Sequence, residues 1–245
     1  MSFKTKQDYY GLGAVTGLAL TGTAENKSLS TAEARGEDGF VVAVESFGET
    51  SAPSCDLVVK GDVTLSSIVL GAITTINSHK YCLANLSITT AAGAAPTVSA
   101  SGQQVADNAT VRCKVTLPAI TISGLFHAQD FGAFTLGGTG AHLTSCTLEI
   151  AGTIATATKD GEIIAHDLTD VRMTVNANIQ VSDSSYGAPS ITAASGWKIT
   201  GPVSETNPDA DFPSYTCQLT KTIAADSALQ PNRPGVRGQE SVKRR

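Results

Sequence analysis

Residues 171–181 have the sequence VRMTVNANIQV, in which apolar and polar side chains alternate without interruption. The odd-numbered positions are apolar and the even-numbered positions are polar. Successive side chains of a β-strand point to opposite faces of the sheet, so this stretch predicts a strand with one buried face and one solvated face. Such strands are typical of antiparallel sheets that cover a core on one side.

The same period of two extends over much of the chain. It recurs in residues 57–65, 82–89, 111–117 and 146–154. The sequence Lys159-Asp160-Gly161-Glu162 predicts a tight hairpin, because Asp-Gly suits a turn that needs positive φ. A second turn at Thr169-Asp170 would make residues 143–181 a three-stranded meander. Further loops are predicted at residues 51–54, 91–96 and 137–140.

Helix signals are scarce. Ser30-Thr31-Ala32-Glu33 matches a capping box, and it predicts one short helix that ends at Gly36. Residues 125–131 are a second, weaker helix candidate. The predicted fold class is therefore all-β, an antiparallel two-sheet sandwich or barrel with at most one or two short helices.

The charges divide the chain into a body and a tail. The formal net charge is −5, yet residues 233–245 carry five basic side chains against Glu240, which leaves −9 for residues 1–232. We expect an extended amino-terminal arm at 1–35, a β-sandwich domain at 36–223 and an extended basic arm at 224–245. The basic arm has two interpretations, a solvated end or an arm that docks on an acidic neighbouring subunit.

Composition excludes several classes of protein. An acidic body argues against tight binding of duplex DNA, and the absence of a run of about 18 apolar residues argues against a membrane-spanning helix. The five cysteines are odd in number and show no CxxC pair. We therefore expect buried, reduced thiols and assembly in a reducing cytoplasm, not a zinc site or a disulfide framework.

No catalytic constellation emerges from the motifs. His127 and His166 each lie near an aspartate, but no G-x-S-x-G motif is present, and we interpret both histidines as polar residues of a loop and of a strand surface. The segment from Asn207 resembles the start of a calcium-binding loop. Phe212 and Gln218 occupy the positions at which that motif requires Gly and Glu, so the sequence does not match it. We expect no catalytic residue, no metal, no cofactor and no enzymatic activity.

The later half of the chain resembles the ending of major tail (tail tube) proteins of long-tailed bacteriophages. The resemblance covers roughly residues 140–223. It lies in the segments Cys146–Ile150, Lys159-Asp160-Gly161, Ala165–Leu168, Met173–Val181, Gly196–Thr200 and Pro213–Lys221.

The resemblance implies a specific assembly. Two packed β-sheets and a short helix would form each subunit, and subunits would form hexameric rings that stack into a tube for DNA. Each subunit would give strands to a continuous barrel around the lumen. The expected partners are other copies of the chain, other tail proteins and DNA that passes without specific binding, with no membrane. The expected location is the virion tail, after assembly in the host cytoplasm. Candidates for the loop between rings are Gly36–Ser54 and Gly124–Gly140.

Three other classes of function stay open at this point. The chain could be another virion structural protein, such as a capsid decoration or baseplate protein. It could be a secreted adhesive or carbohydrate-binding β-domain, although one Trp and five Tyr give few aromatic side chains for stacking on sugars. An enzyme is the remaining class.

Overall fold

A computed structural model describes residues 6–35, 41–106, 110–111, 114–138, 140–159, 162–182, 187–201, 203–205 and 212–223. Residues 29–50, 110–111 and 158–164 are described by their backbone alone within those ranges. The main sheet comprises β1 (Leu18–Arg35), β2 (Val41–Val59), β5 (Ile73–Ile76), β6 (His79–Ala91), β7 (Ala94–Val105), β8 (Thr110–Val111), β12 (Ala141–Lys159), β13 (Glu162–Val181), β15 (Lys198–Ile199), β16 (Ser204–Glu205) and β17 (Ser214–Thr222). The smaller strands are β3 (Val63–Leu65), β4 (Val69–Leu70), β9 (Val115–Thr116), β10 (Ile120–Ile122), β11 (Phe134–Gly137) and β14 (Ser190–Ala193).

The main sheet has the order β1-β2-β7-β6-β12-β13-β17-β15, and β5, β8 and β16 pair at its borders. Neighbouring strands are antiparallel, except that β8 runs parallel to β13. Sequence neighbours form the hairpins β1–β2, β6–β7 and β12–β13, because short turns join antiparallel strands. The prediction of an all-β, antiparallel fold is confirmed.

A second layer covers one face of this sheet. It consists of three two-stranded sheets, β3 with β10, β4 with β9 and β11 with β14. One hydrophobic core joins both layers, with Leu86 and Leu148 from the main sheet and Leu65 and Ile122 from the second layer. Each fully buried side chain of this size contributes about 1.5–3 kcal/mol to folding. The apolar positions of residues 171–181 belong to the same core, so their alternation marks a part of the sheet that anchors the fold.

Both predicted helices are wrong. Ser30–Arg35 belongs to β1 and pairs with Val41–Phe47 of β2, because the strand pairing outweighs a capping box followed at once by Gly36. Residues 125–131 form an irregular loop. The described helical structure is a single 3₁₀ turn, Leu12–Ala14.

Two predictions of where strands begin and end are wrong. Residues 57–65 do not form one strand, since Lys60–Asp62 separates β2 from β3. Residues 162–181 form one continuous strand, so the predicted meander 143–181 is a two-stranded hairpin. Asp170, at φ 53°, adopts the left-handed conformation within β13 near a register shift and does not form a turn. The hairpin turn itself, residues 160–161, lies outside the described residues.

The loop predicted at residues 51–54 is also strand. Pro53 pairs with Glu25 of β1, whereas the pairing of β2 with β7 starts only at Ser54. Pro53 therefore lies where its missing N–H removes no bond to β7. The loops predicted at residues 91–96 and 137–140 agree better with the structure. The chain turns at residues 92–93, and β11 ends at Gly137.

The amino-terminal segment is shorter than the predicted arm. Of the expected arm at 1–35, residues 18–35 form β1, which pairs with β2 along its whole length. Residues 6–17 pack against the sheet, and Tyr9 and Leu12 are buried there. The basic arm at 224–245 lies outside the described residues.

Four cysteines, namely Cys55, Cys82, Cys146 and Cys217, are buried and free of disulfides. Burial raises the pKa of the Cys82 thiol to about 11 and that of Cys146 to about 12. These thiols are protonated at neutral pH and therefore poor nucleophiles. The sequence had predicted their burial. Cys113 lies outside the described residues.

Candidate functional site

The main sheet has a second face, on the side away from the second layer. We call it the open face. It consists of the side chains that alternate with the core residues in residues 52–58, 85–91, 97–101, 145–151, 172–180 and 214–222. Most of these side chains are small and uncharged, as in the series Thr174, Asn176, Asn178 and Gln180 of β13.

Cross-strand hydrogen bonds connect many of these polar side chains. Thr89 and Thr147 share one with an Oγ1–Oγ1 distance of 3.2 Å, which links β6 to β12. Asn178 Nδ2 donates to Ser145 Oγ at 2.7 Å, and Gln218 Nε2 donates to Asn176 Oδ1 at 3.0 Å. Ser99 Oγ donates to Asp56 Oδ1 at 2.7 Å. These groups satisfy one another within the sheet, so the open face offers few unpaired groups to a ligand.

Charges are sparse and balanced on the open face. Its described charged side chains are Asp56, Glu149 and Arg172. Asp170 joins Glu149 and Arg172 in a groove of this face, and Lys198 of β15 lies beside Thr220 at the border. The acidic excess of residues 1–232 is therefore not concentrated here. A surface that binds nucleic acid tightly presents a cluster of Lys and Arg, and this face does not.

A shallow groove of about 530 Å³ lies on the open face beside β12 and β13. Glu149, Asp170 and Arg172 line it together with Asn85 and Gly152. A Cβ at residue 152 would lie 2.7 Å from Leu168 Cδ1, so a larger residue here would displace the Leu168 side chain. The groove contains neither a nucleophile beside a base nor a set of metal ligands.

A second cavity, of about 430 Å³, lies between the two layers. Ile120, Leu148, Met173 and Trp197 are among its apolar lining residues. Lys221 Nζ lies 6.0 Å from the centre of the Trp197 ring, close enough for a cation–π interaction. Trp197 is 8% exposed, so its ring is not available for stacking on a sugar at the surface.

The two histidines that precede aspartates in the sequence lie in different surroundings. His127 is exposed in a loop, as predicted, but the prediction that His166 lies on a strand surface is wrong. His166 is buried in β13, where its Nε2 accepts the Ala106 N–H at 3.3 Å. Burial lowers the pKa of His166, so the ring is neutral at physiological pH. The segment Asn207–Asp211 lies outside the described residues.

The amino-terminal segment is tied to the sheet by a carboxylate. Glu25 of β1 accepts Ser51 Oγ at 2.6 Å, and it accepts the hydroxyls of Tyr9 and Tyr81 at 3.3 Å each. Lys27 Nζ lies 3.9 Å from the same carboxylate. The hydrogen bond from Ser51 is the main cause that lowers the pKa of Glu25. This cluster joins the amino-terminal segment, β1, β2 and β6, and sequence patterns gave no sign of it.

Two apolar side chains protrude at one end of the sheet. Leu125 is 66% exposed and Phe126 is 64% exposed. The Phe126 carbonyl accepts the Gly93 N–H at 2.9 Å, which places this loop beside the β6–β7 turn. Exposed side chains of this size mark an interaction surface when their backbone is held in place. The sequence had identified Gly124–Gly140 as a candidate contact loop but not these two residues.

Searches for metals, membrane spans and relatives gave negative results. Within the described residues, no group of three or more His, Cys, Asp or Glu side chains could hold a metal ion. None of their helices has the length and hydropathy that a membrane crossing requires. No protein-family model matches the chain, and a search of curated proteins found no match.

Proposed function

We propose that the protein is a structural subunit of a bacteriophage tail tube, in which rings of this chain stack to form a conduit for DNA. The observation that carries the proposal is the open face, a broad polar surface that no described segment covers. In a ring, this face would line the lumen. The sequence resemblance sets the expected ring at six copies.

The chemistry of the open face suits a conduit. DNA carries about one negative charge per 1.7 Å of duplex, so a lumen rich in Lys and Arg would hold it by releasing counterions. Arg172 and Lys198 are the described basic residues of this face, and Asp56, Glu149 and Asp170 oppose them. A nearly neutral surface whose polar groups bind one another gives DNA few contacts to break as it moves.

The borders of the sheet suit lateral closure. β1 forms one border, where no described strand pairs with its outer side, and β15 and β16 form the other border beside β17. The two borders differ, so contact between them is heterologous and generates a ring when the rotation closes. Closure would also cover backbone groups that an isolated sheet leaves exposed to aggregation.

Location and partners follow from the same proposal. The tube would belong to the virion tail and contact other tail proteins at its ends. The buried free thiols Cys55, Cys82, Cys146 and Cys217 agree with assembly in the reducing cytoplasm of the host. The proposal assigns no catalytic residue, cofactor or membrane contact.

Negative-stain microscopy and sedimentation velocity of the purified full chain test the proposal. Rings or tubes with a central channel are the expected result, with tubes growing longer as concentration rises. Isolated particles at every concentration and salt condition would contradict it and favour a decoration protein or an adhesive domain. A chain ending at Gln230 serves as a second sample. It should fold and assemble, but its assemblies should resist salt less if the basic arm docks on a neighbour.

A further inference from the structure

The cavity between the two layers has an apolar floor and a polar mouth. Leu148 and Met173 of the main sheet are buried at its floor, together with Ile120 of β10. Thr121 and Asp130 line the same cavity and are exposed, so they lie at its mouth. Small-molecule sites are concave spaces of about 300–1,000 Å³ with mostly apolar walls and a few polar groups. A cavity of about 430 Å³ with this lining has the size and character of such a site.

One ammonium group lies at this cavity. Lys221 of β17 is the basic residue among the described residues that line it. Its Nζ lies 6.0 Å from the centre of the Trp197 ring, and within the described chain no carboxylate forms an ion pair with it. The carboxylate of Asp130 also lines the cavity, but its Oδ1 accepts the Gly132 N–H at 2.9 Å, within its own turn. The Lys221 ammonium is therefore available to an anion that enters the cavity.

A turn at residues 194–197 holds the Lys221 side chain beside the cavity. Gly196 has a φ of 83°, and the Trp197 N–H donates to the Ala194 carbonyl at 3.0 Å. A Cβ at residue 196 would lie 3.4 Å from Lys221 Cε and 3.7 Å from Lys221 Nζ, so the lysine lies directly against this turn. An ammonium that is already placed loses less side-chain freedom when it binds an anion, which favours affinity.

Another wall of the cavity is a turn with an unfavourable backbone conformation. Phe131, at φ 53°, and Gly132, at φ 67°, both adopt the left-handed conformation, which is rare for a bulky aromatic residue. The Ala133 N–H donates to the Asp130 carbonyl at 3.0 Å, and the Ala194 N–H donates to the Ala133 carbonyl at 2.9 Å. These bonds enforce the turn and connect it to the turn that holds Lys221. Strained backbone of this kind concentrates at ligand sites.

We propose that this cavity binds a small carboxylate with an aromatic or aliphatic body. The body would contact Leu148 and Met173, and the burial of its apolar surface would supply most of the affinity. The carboxylate would pair with the Lys221 ammonium, which matches a single negative charge and fixes the orientation of the ligand. A ligand with an amine at this position would meet a like charge. The site lies within one subunit, so the proposal does not depend on assembly of a tail tube.

Tryptophan fluorescence of the full chain tests the site, because Trp197 is the one tryptophan of the sequence and borders the cavity. The probe is para-iodobenzoate, whose iodine quenches an indole at short range. Quenching should saturate, and the dissociation constant should be about tenfold lower than that of the uncharged para-iodobenzamide. The cationic para-iodobenzylamine should bind most weakly. Quenching that does not saturate with any of the three probes would overturn the site, and equal or reversed affinities would overturn its preference for an anion.

Three variants locate the binding. Lys221→Gln should unfold at the wild-type urea concentration and bind the benzoate and the benzamide equally. Lys198→Gln is the matched control, because it makes the same change in net charge at an exposed residue outside the cavity and should keep the preference for the benzoate. Ala119→Phe, at an exposed lining residue, should block all three probes. A Lys221→Gln variant with the wild-type preference, or an Ala119→Phe variant with wild-type quenching, would overturn the proposal and leave the tail-tube proposal standing.

Discussion

The two long hairpins of the main sheet differ in what surrounds them. In the β12–β13 hairpin, residues 145–151 pair with β6 and residues 172–180 pair with β17, so this half of the hairpin lies inside the sheet. The β1–β2 hairpin lies at the border, and β2 meets a third strand only from Ser54 to Val58. The sequence of β12–β13 alternates clearly, whereas most of β1–β2 was predicted as arm, helix or loop. Periodicity is therefore strongest where a core selects one face of the strand, and a ribbon with few neighbours carries little of it.

The largest expected effect is a charge placed in the core face of β13. Val175 is 0% exposed, and Val175→Asp would bury a carboxylate without a partner. We expect the free energy of unfolding to fall by about 3 kcal/mol or more, measured by urea denaturation. Asn176→Asp is the control on the open face, where Gln218 Nε2 can still donate to the new carboxylate. Equal losses from both changes would contradict the assignment of the two faces.

A smaller loss of unfolding free energy is expected when a glycine in the same hairpin is replaced. In Gly152→Ala the new Cβ would lie 2.7 Å from Leu168 Cδ1 and 3.1 Å from Val171 Cγ2. We expect a loss of about 1–3 kcal/mol, because close packing around residue 152 must expand. Gly22→Ala in β1 is the control, since its Cβ would meet Asp56 Oδ2 at 3.3 Å, at an exposed carboxylate that can move. Thermal unfolding of both variants checks the difference, and a larger loss from Gly22→Ala would reverse the comparison.

The labelling rates of two buried cysteines report the local stability of the two hairpins. Cys55 of β2 lies under the amino-terminal segment, where Tyr9 N–H donates to its Sγ at 3.4 Å. Cys146 of β12 lies in the centre of the sheet. Release of residues 6–17 would expose Cys55 without unfolding the sheet, so we expect Cys55 to react with a thiol reagent faster than Cys146. Mass analysis of peptides during native labelling measures both rates. Equal rates, or an early disulfide in the unreduced protein, would contradict this expectation.

The smallest expected effect concerns the carboxylate that ties the amino-terminal segment to the border hairpin. Its hydrogen bonds, chiefly from Ser51, lower the pKa of Glu25 below the value of an unfolded chain. This stabilisation is therefore present above the unfolded pKa of about 4.3 and is lost as pH falls through the lower folded pKa. Glu25→Gln should flatten the pH dependence of the unfolding midpoint in this acidic range. A Glu25→Gln variant that keeps the pH dependence of the wild type would contradict this role of Glu25.

The amino-acid sequence determined the strand class, the core face and the polar character of the opposite face. The strand at residues 171–181 could be predicted without a structure, because its alternating apolar and polar residues show which side chains are buried. The burial of the described cysteines was also predicted, because each lies within a strand-like stretch.

Tertiary structure alone decided features that depend on distant partners. Ser30–Arg35 is strand because Val41–Phe47 lies beside it, although its own residues favour a helix start. Asp170 continues β13 because β12 supplies partners on both sides of the register shift. Likewise, Leu125 and Phe126 form a protruding pair because Asp62 and Gly93 hold their loop, and contacts across such sequence distances leave no periodic signal.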